Sequence, residues 1–301
     1  MVATLEIDWT GYDSCHEICI FKKNWYAMIL FPNAKINLGL YITARRANGY
    51  HDIQSIFLPI GLSDILEVVP AAGHQHRNFT TTGIPIEDKT GKNLVLTALE
   101  HVRQDYDLPA VGIHLHKNIP PGSGLGGGSA DAAFMVFALD RLFKLGMDEK
   151  KKRIYLGNLG SDCTFFLENS PCFVSGTGDQ LAPLSLKSIS HYWIGLVVPG
   201  VHISTKLAYS MVQPHSRKKA LNETICAPVR TWKQTISNDF EIPVFKKYPI
   251  LKDIKSLMYD QGAVYASLSG SGSSVYGFFQ DPPEWNTAFQ GMFVWTGRMA
   301  Y

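Results

Sequence analysis

One stretch constrains this chain more than any other: Pro120-Pro121-Gly122-Ser123-Gly124-Leu125-Gly126-Gly127-Gly128-Ser129-Ala130-Asp131-Ala132-Ala133, with five glycines in seven residues. It joins an alternating segment, Val111 to Lys117, to a run of helical spacing, Ser129 to Leu145. Glycines let the backbone turn its N–H groups inward without interference from Cβ, and the adjoining helix start concentrates partial positive charge. The product is an anion seat suited to the phosphates of a nucleotide. A glycine-rich turn that merely packs tightly is the alternative.

Two familiar phosphate loops fit poorly. Gly122-Ser123-Gly124-Leu125-Gly126-Gly127 satisfies G-x-G-x-x-G in form, but a dinucleotide fold then needs a second parallel strand ending in an acid. The chain continues instead with Gly146, the charged Asp148 to Arg153, and a helical Ile154 to Leu159. The Walker A pattern fails because no Lys-Ser or Lys-Thr stands after the loop at the required spacing.

Three further segments narrow the reading. In Pro32-Asn33-Ala34-Lys35-Ile36-Asn37-Leu38-Gly39-Leu40-Tyr41-Ile42, the apolar residues Ile36, Leu38, Leu40 and Ile42 alternate with Lys35, Asn37, Gly39 and Tyr41. A strand here buries the first set and presents the second on one polar face, with Lys35 and Asn37 roughly 7 Å apart. Gly39 beyond them leaves room for something bulky, so this face is expected to meet a ligand. Asn48-Gly49 reads as a hairpin tip, with Tyr50-His51 starting the return strand. Next comes Gly160-Ser161-Asp162-Cys163-Thr164, an acid between a helix and an apolar run, where a simple turn aspartate is the plainer reading. Last is Ser267-Leu268-Ser269-Gly270-Ser271-Gly272-Ser273-Ser274, a second Gly/Ser loop feeding the apolar Val275 to Phe279.

In this order the segments resemble the GHMP kinase superfamily, which includes galactokinase, homoserine kinase, mevalonate kinase and phosphomevalonate kinase. Within it they are most similar to the branch whose acceptor is a cytidine diphosphate-linked methylerythritol. The resemblance runs from about Met28 to near the C-terminus. It implies an α+β, two-domain GHMP kinase fold: a ribosomal protein S5 domain 2-like N-terminal domain, a ferredoxin-like C-terminal domain, and the active site in the cleft between them. It implies ATP-dependent phosphorylation of a sugar-alcohol hydroxyl in the non-mevalonate isoprenoid pathway, with ATP and Mg2+ as cofactors. Alternatives are another small-molecule kinase of the homoserine or mevalonate type, or a non-catalytic nucleotide-binding protein.

Carried over by motif, Asp162 is the catalytic aspartate and Lys35 the lysine that works with it. A positioned carboxylate can take the proton of an alcohol as the bond to phosphorus forms, and a lysine stabilises charge building on that oxygen. The same lysine lowers the aspartate's pKa, so positioning is expected to matter more than basicity. Pro120, Gly122, Gly124, Leu125, Gly126, Gly127, Gly128 and Ser129 match the ATP-binding cradle, and Asn93 and Lys117 match positions lining the nucleotide pocket. Ser129 has two readings, N-cap of the adjoining helix or ligand to the magnesium ion. The resemblance assigns Asn37, Tyr50, His51, Thr205 and Tyr209 to the substrate's cytidine end, with Tyr209 stacking on the base. Ser269, Gly270, Ser271 and Gly272 close over its phosphates and polyol. Thr164 departs from the family's usual proline and Leu268 from its usual methionine.

Residues 1–27 have no counterpart in the pattern, and Met28 reads as a natural start, leaving an extension of unknown role. That extension holds Cys15-His16-Glu17-Ile18-Cys19, but no second Cys/His pair with zinc spacing accompanies it. Five scattered cysteines argue against a disulfide framework and for a reducing, cytoplasmic setting. With 301 residues, 46% hydrophobic and 18% charged, the chain can bury a substantial core. No apolar run reaches about 18 residues, so no membrane span is expected. A formal charge of +2 gives no case for nucleic acid, and Lys150 to Arg153 and Arg217 to Lys219 read as solvated surface. A small-molecule substrate and a monomer or weak homodimer are expected. The Gly/Ser/Pro/Leu-rich Thr177 to Ser190 marks the expected domain junction, giving domains 28–185 and 186–301. Beyond it, His191 to Val198 reads as a strand, Trp232 to Phe240 and Ile250 to Tyr259 as helices, and Val264 to Leu268 with Val275 to Phe279 as a hairpin.

Overall fold

The computed structural model describes residues 17–22, 25–71, 78–86, 93–215, 217, 219–285, 287 and 289–299. In chain order the first elements are β1 (Glu17–Lys22), β2 (Trp25–Leu30), β3 (Asn33–Arg45), β4 (His51–Ser63), β5 (Ile65–Pro70) and β6 (Asn78–Gly83). Then come α1 (Leu94–Asp105), β7 (Val111–Lys117), α2 (Gly127–Phe143), α3 (Glu149–Leu159) and the short α4 (Phe165–Glu168). The remainder holds β8 (Cys172–Ser175), β9 (Gln180–Pro183), β10 (Trp193–Val198), α5 (Thr205–Ser210), α6 (Leu221–Thr224) and α7 (Trp232–Thr235). It ends with α8 (Glu241–Lys247), α9 (Pro249–Asp260), β11 (Tyr265–Leu268), β12 (Val275–Phe279) and β13 (Phe293–Arg298).

Contacts divide the chain into two units, each discontinuous in sequence. One comprises Met1–Asn33, Ser63–Ile119 and Gly127–Leu167; the other comprises Ala34–Leu62, Pro120–Gly126 and Glu168–Tyr301. These are not two consecutive segments, and the composition shift from Thr177 to Ser190 falls inside the second unit. There it forms the β8–β9 turn, β9 itself and a 3-10 turn at Lys187–Ile189. Its Gly178 and the preceding Gly176 sit at positive φ of 98° and 65°, so they serve the reversal between two paired strands.

In the first unit the sheet order is β1-β2-β5-β7-β6, with β6 parallel to β7 and the other neighbours antiparallel. β7 alternates as its sequence dictates, Val111, Ile113 and Leu115 being buried on the side that meets the helices. From α1, Val95, Ala98, Leu99 and Val102 are wholly buried, an i, i+3, i+4, i+7 stripe. Helix α2 is apolar on most sides, and Ala130, Ala132, Ala133, Met135, Val136 and Leu139 are all inaccessible. It therefore runs through the middle of the helical layer, packed on α1, α3, β2 and β5.

The second unit contains two four-stranded sheets, β3-β4-β8-β9 and β11-β12-β10-β13. The β11–β12 hairpin and the helix over Pro249–Asp260 match the sequence reading; the helix expected over Trp232 to Phe240 ends at Thr235. After it, Ile236 to Asp239 straightens alongside β3, where Leu40 N–H donates to Ser237 O and Asp239 N–H to Leu40 O. Trp232 is fully buried edge-on to Tyr265 and Phe278, with its Nε1–H donated to Ala227 O at 2.8 Å. Leu40, Ile42, Val197, Phe240, Leu251, Ile254, Leu268 and Val275 form the adjoining core.

β3 corrects one expectation. Its apolar residues are buried as read, but Lys35, Asn37 and Tyr41 on the other face are buried too. The room at Gly39 goes to protein: a Cβ there would lie 2.8 Å from Ile236 Cγ2 and 2.9 Å from Leu221 Cδ1. Gly39 is thus a packing glycine at φ 70°.

Part of the extension before Met28 is sheet. β1 pairs with β2 from Glu17↔Leu30 to Lys22↔Trp25, while β2 pairs with β5 through Met28, Ile29 and Leu30 alone. Cys15 and His16 lie outside the described residues, as does the side chain of Cys19. Deleting residues 1–27 removes an edge strand and keeps the β2–β5 ladder with the buried Leu30. The truncated chain should fold with a melting temperature lower by a few degrees, read by thermal denaturation beside the full chain. Failure to fold would show that the edge pair carries the sheet.

Candidate active site

In the second unit, three remote segments meet through one hydroxyl. Ser269 Oγ accepts from Asn37 N–H at 3.2 Å and donates to Gly124 O at 3.0 Å, so β3, the glycine loop and the Ser/Gly turn share an atom. Two backbone bonds reinforce this, Lys35 N–H to Leu125 O at 2.8 Å and Ser274 N–H to Ser123 O at 3.0 Å. Approach is close enough that Gly124, at φ 82°, has no space for a side chain: a Cβ would lie 2.3 Å from Ser269 O. Gly122 and Gly126 also sit at positive φ, 64° and 72°. The glycines therefore provide both the left-handed backbone and the contact distance.

Lys35 is 3% exposed, its Nζ donating to Asn37 Oδ1 at 2.7 Å and standing 4.2 Å from the Phe57 ring centroid. The relay continues from Asn37 Nδ2 to Ser55 Oγ at 2.9 Å, and from that hydroxyl to Gly39 O at 2.7 Å. Bonded at both its oxygen and its nitrogen, the Asn37 amide is fixed, and with it the ammonium.

Also in this unit, His51 and Tyr209 stack at 5.0 Å, and Phe240 backs Tyr209 edge-on at 5.0 Å. Burial, with the charge of Arg45, lowers the His51 pKa, so the ring is held toward its neutral, hydrogen-bonding form. Tyr50 is exposed at the hairpin tip, its N–H bonded to Asn48 Oδ1. Thr205 Oγ1 lies 3.3 Å from Ser271 Oγ, tying the start of α5 to the Ser/Gly turn.

The first unit carries the helix start and the acid. Asp162 lies in a single 3-10 turn, Ser161–Thr164, which packs against α2 and α3. The turn is closed by Thr164 Oγ1 donating to Ser161 O at 3.0 Å, so the residue that replaces the family's proline stiffens the turn by a hydrogen bond. Next to Asp162, burial pushes the Cys163 thiol up to about 12 although a hydrogen bond with Ser129 works the other way. Cys163 is thus an inert packing group whose bond to Ser129 seats the Asp162 turn at the first turn of α2. Asn93 caps α1, its Oδ1 accepting from Val95 N–H at 2.9 Å.

Lys117 is buried with Asp64 and Asp131. Its Nζ donates to Asp131 Oδ2 at 2.7 Å and also to Asp64 Oδ2, while Asp64 Oδ1 accepts from Asn118 N–H and Ile119 N–H at 2.6 and 2.8 Å. A Cβ on Gly127 would lie 2.8 Å from Ile119 Cγ2 and 3.4 Å from Lys117 Nζ, so the ammonium stands beside the helix start. Burial alone would lower the Lys117 pKa, but Asp131 and Asp64 outweigh it and raise it. One ammonium serves two carboxylates, and burial together with the charge of Asp64 pushes Asp131 up to about 8 against the pull of Lys117.

Known proteins match this chain along most of its length. The profile of the GHMP kinases N terminal domain matches residues 93–169, and that of the GHMP kinases C terminal matches 229–291. A 4-diphosphocytidyl-2-C-methyl-D-erythritol kinase of Azobacteroides pseudotrichonymphae is 48% identical over 256 residues, covering 85% of this chain and 94% of that protein. One from Parabacteroides distasonis is 44% identical, covering 91% of this chain and all (100%) of the relative. The crystal structure of a 4-(cytidine 5'-diphospho)-2C-methyl-D-erythritol kinase superposes with a TM-score of 0.78 at 30% identity, covering 91% of this chain and 100% of that one. The chain belongs to the 4-diphosphocytidyl-2-C-methyl-D-erythritol kinase family of GHMP kinases.

Membership in this kinase family carries the α+β GHMP fold and the use of ATP. Among the described residues no helix is long and apolar enough to cross a membrane. Sequence reasoning passed over several groups that hold the family's motifs in place. Asn238 donates Nδ2 to Leu268 O and Gly270 O at 2.9 and 2.8 Å and so braces the Ser/Gly turn. Tyr276 Oη donates to Asn37 O at 3.0 Å. Asp64 had no signal beyond an acid after a strand, and Asp131 was visible only as the acid in the helix start.

The Lys117 cluster generates a pH prediction. A group whose pKa rises from 3.8 to about 8 on folding contributes stability that is complete below about 3.8 and is lost as pH rises through about 8. Asp131→Asn keeps the shape without the titration, so its urea midpoint should fall less than the wild type's between about pH 6 and about pH 9. Lys117→Met strands buried carboxylates and should cost about 3–5 kcal/mol in the same measurement.

Proposed function

We propose that this protein transfers the γ-phosphoryl group of ATP to the 2-hydroxyl of 4-diphosphocytidyl-2-C-methyl-D-erythritol, giving the 2-phosphate and ADP in the non-mevalonate isoprenoid pathway. The observation that carries the reading is the 48% identity to a kinase of that name over nearly its whole length. The geometry adds an acid-bearing turn bonded through Cys163 and Ser129 to a glycine-rich helix start. A homoserine- or mevalonate-type acceptor would give no purpose to the paired His51 and Tyr209 rings.

Asp162 accepts the proton of the acceptor hydroxyl as its oxygen bonds to phosphorus, while the bond from that phosphorus to the β,γ-bridging oxygen breaks and ADP leaves with the electron pair. Lys35, rigidly held by Asn37, stabilises negative charge on the reacting oxygens. Gly124 to Ser129 present backbone N–H groups to the phosphates, and the start of α2 favours their charge. The substrate's base is addressed by His51 and Tyr209, with Asn37 and Tyr50 beside the same strands. Thr205 and Ser269 to Gly272 receive its phosphates and polyol, and Asn93 and Lys117 shape the nucleotide's surroundings.

A magnesium ion that accompanies ATP takes oxygen ligands and is held largely by the nucleotide's own phosphates. The hard oxygen donors near the start of α2, Ser129 Oγ and the Asp162 carboxylate, fit such an ion. It would supply charge neutralisation on the phosphates.

Asp162→Asn should lower turnover about 10²- to 10⁴-fold while leaving ATP affinity largely intact, measured as ADP release and by titration calorimetry. Lys35→Met should lose most activity without losing its packing on Phe57, so an unchanged melting temperature separates a charge role from a structural one. Near-normal turnover in the Asn variant would refute the assignment of the acid. Activity with homoserine or mevalonate but not with the cytidine diphosphate substrate would refute the choice of acceptor.

Gly126→Val should weaken ATP binding at least tenfold, roughly 1.4 kcal/mol, because a β-branched residue resists φ 72° at the cradle's centre. Gly127→Val should do likewise by pushing on Ile119 and Lys117. Unchanged nucleotide affinity in both variants would leave the loop a packing element.

A further inference from the structure

In the second unit β11 is an edge strand, and its end leads straight into the Ser/Gly turn. An edge strand leaves alternate N–H and C=O groups without a ladder partner. Ser269 N–H pairs across the hairpin with Ser274 O, so the groups of Leu268 point the other way, off the sheet. There they meet two side chains from one short segment. Leu268 N–H donates to Glu241 Oε1 at 3.0 Å, and Leu268 O accepts from Asn238 Nδ2 at 2.9 Å. The same Nδ2 also donates to Gly270 O at 2.8 Å, and Ser267 Oγ donates to Glu241 Oε1 at 3.1 Å. Two residues earlier on the strand, Tyr259 Oη accepts from Ala266 N–H at 3.1 Å and lies 3.2 Å from Ala266 O, to which it donates. Side chains therefore stand where a further strand would.

Both side chains are buried and fully committed. Lys255 Nζ donates to Glu241 Oε2 at 2.7 Å, and Asn238 Oδ1 accepts from Phe240 N–H at 2.9 Å. The segment that carries them is itself bonded to β3, through Leu40 N–H to Ser237 O and Asp239 N–H to Leu40 O. β3 in turn carries Asn37, whose N–H donates to Ser269 Oγ. We propose that Glu241 and Asn238 are positioning residues for the acceptor: without touching it, they fix the root of the Ser/Gly turn relative to β3 and so set the acceptor's affinity. This rests on the reading that Ser269 to Gly272 receive the acceptor's phosphates and polyol. A turn ordered before binding spares the ligand the entropy of ordering it, whereas a loose turn takes that cost from affinity.

Hydrogen exchange of the full chain without ligands tests the brace directly. The native Leu268 amide should exchange as slowly as the amides of β12, although it faces off the sheet edge, and about a hundredfold faster in Glu241→Ala. Steady-state kinetics with ATP and the cytidine diphosphate acceptor test the consequence. Glu241→Ala and Asn238→Ala should each raise the acceptor KM about tenfold while kcat changes less than about threefold, the pattern of lost uniform binding. Glu241→Gln keeps an oxygen for the Leu268 N–H and should retain the native KM. A fold that is merely weakened would lower the active fraction, and with it kcat, and leave KM unmoved. The proposal is overturned if the native Leu268 amide exchanges like that of an unfolded chain, or if the acceptor KM stays unmoved in both alanine variants. It is equally overturned if Glu241→Gln behaves as Glu241→Ala does. A native chain that does not phosphorylate this acceptor would instead refute the proposed acceptor, with the brace then judged on the Leu268 amide alone.

Discussion

The first unit depends on one buried lysine between two buried carboxylates. Asp64 binds the two backbone N–H groups immediately after Lys117, and Asp131 projects from α2 just past its first turn, so the ammonium joins the end of β7 before the glycine loop to the helix after it. Glycines give a loop freedom that must be removed before it can seat an anion. Part of that restraint lies in the flanks, outside the glycines. Because burial makes each charge costly alone, the three groups hold only as a set, and the set holds the loop's ends.

The second unit solves a related problem with neutral groups. Ser269 Oγ accepts one hydrogen bond and donates another, and this saturates both β3 and Gly124 without introducing charge. Asn238 then fixes the Ser/Gly turn from beneath through two carbonyls. A Gly/Ser turn with such bracing is a shaped surface, whereas the composition alone would suit a mobile linker equally well.

How much of the molecule is legible in its sequence depends on how local each signal is. β7 from Val111 to Lys117, the Asn48-Gly49 turn and the β11–β12 hairpin are set by alternation and turn chemistry within a few residues, and they stand where the sequence puts them. The helix expected over Trp232 to Phe240 stops at Thr235 because Ser237, Asn238 and Asp239 make bonds to β3 and the Ser/Gly turn that a helix would forbid. Gly39 misled for the same reason, since its neighbours Leu221 and Ile236 come from nearly 200 residues away along the chain. The glycine loop, Lys35, Asp162 and the Ser/Gly turn stand out in the sequence because their residue types and spacing are unusual. The groups that hold them, Asp64, Asn238 and Tyr276, are ordinary residues that acquire a role only through tertiary contacts.

The placement of Lys35 shows what such support accomplishes. An exposed lysine loses considerable rotamer entropy when it is recruited to a developing charge, and water screens it meanwhile. Lys35 has already lost that freedom: it is buried over Phe57 and bonded to an asparagine whose own amide is fixed by Ser55. The cost of ordering was met on folding, so in the role proposed for Lys35 no reorganisation would remain for the reaction step, which is the condition under which a fixed cation stabilises a transition state more than a ground state. The same reasoning assigns Asn37 a role in holding the ammonium as well as any contact with substrate. It also explains why a residue on the polar side of a strand is enclosed by protein instead of standing in solvent.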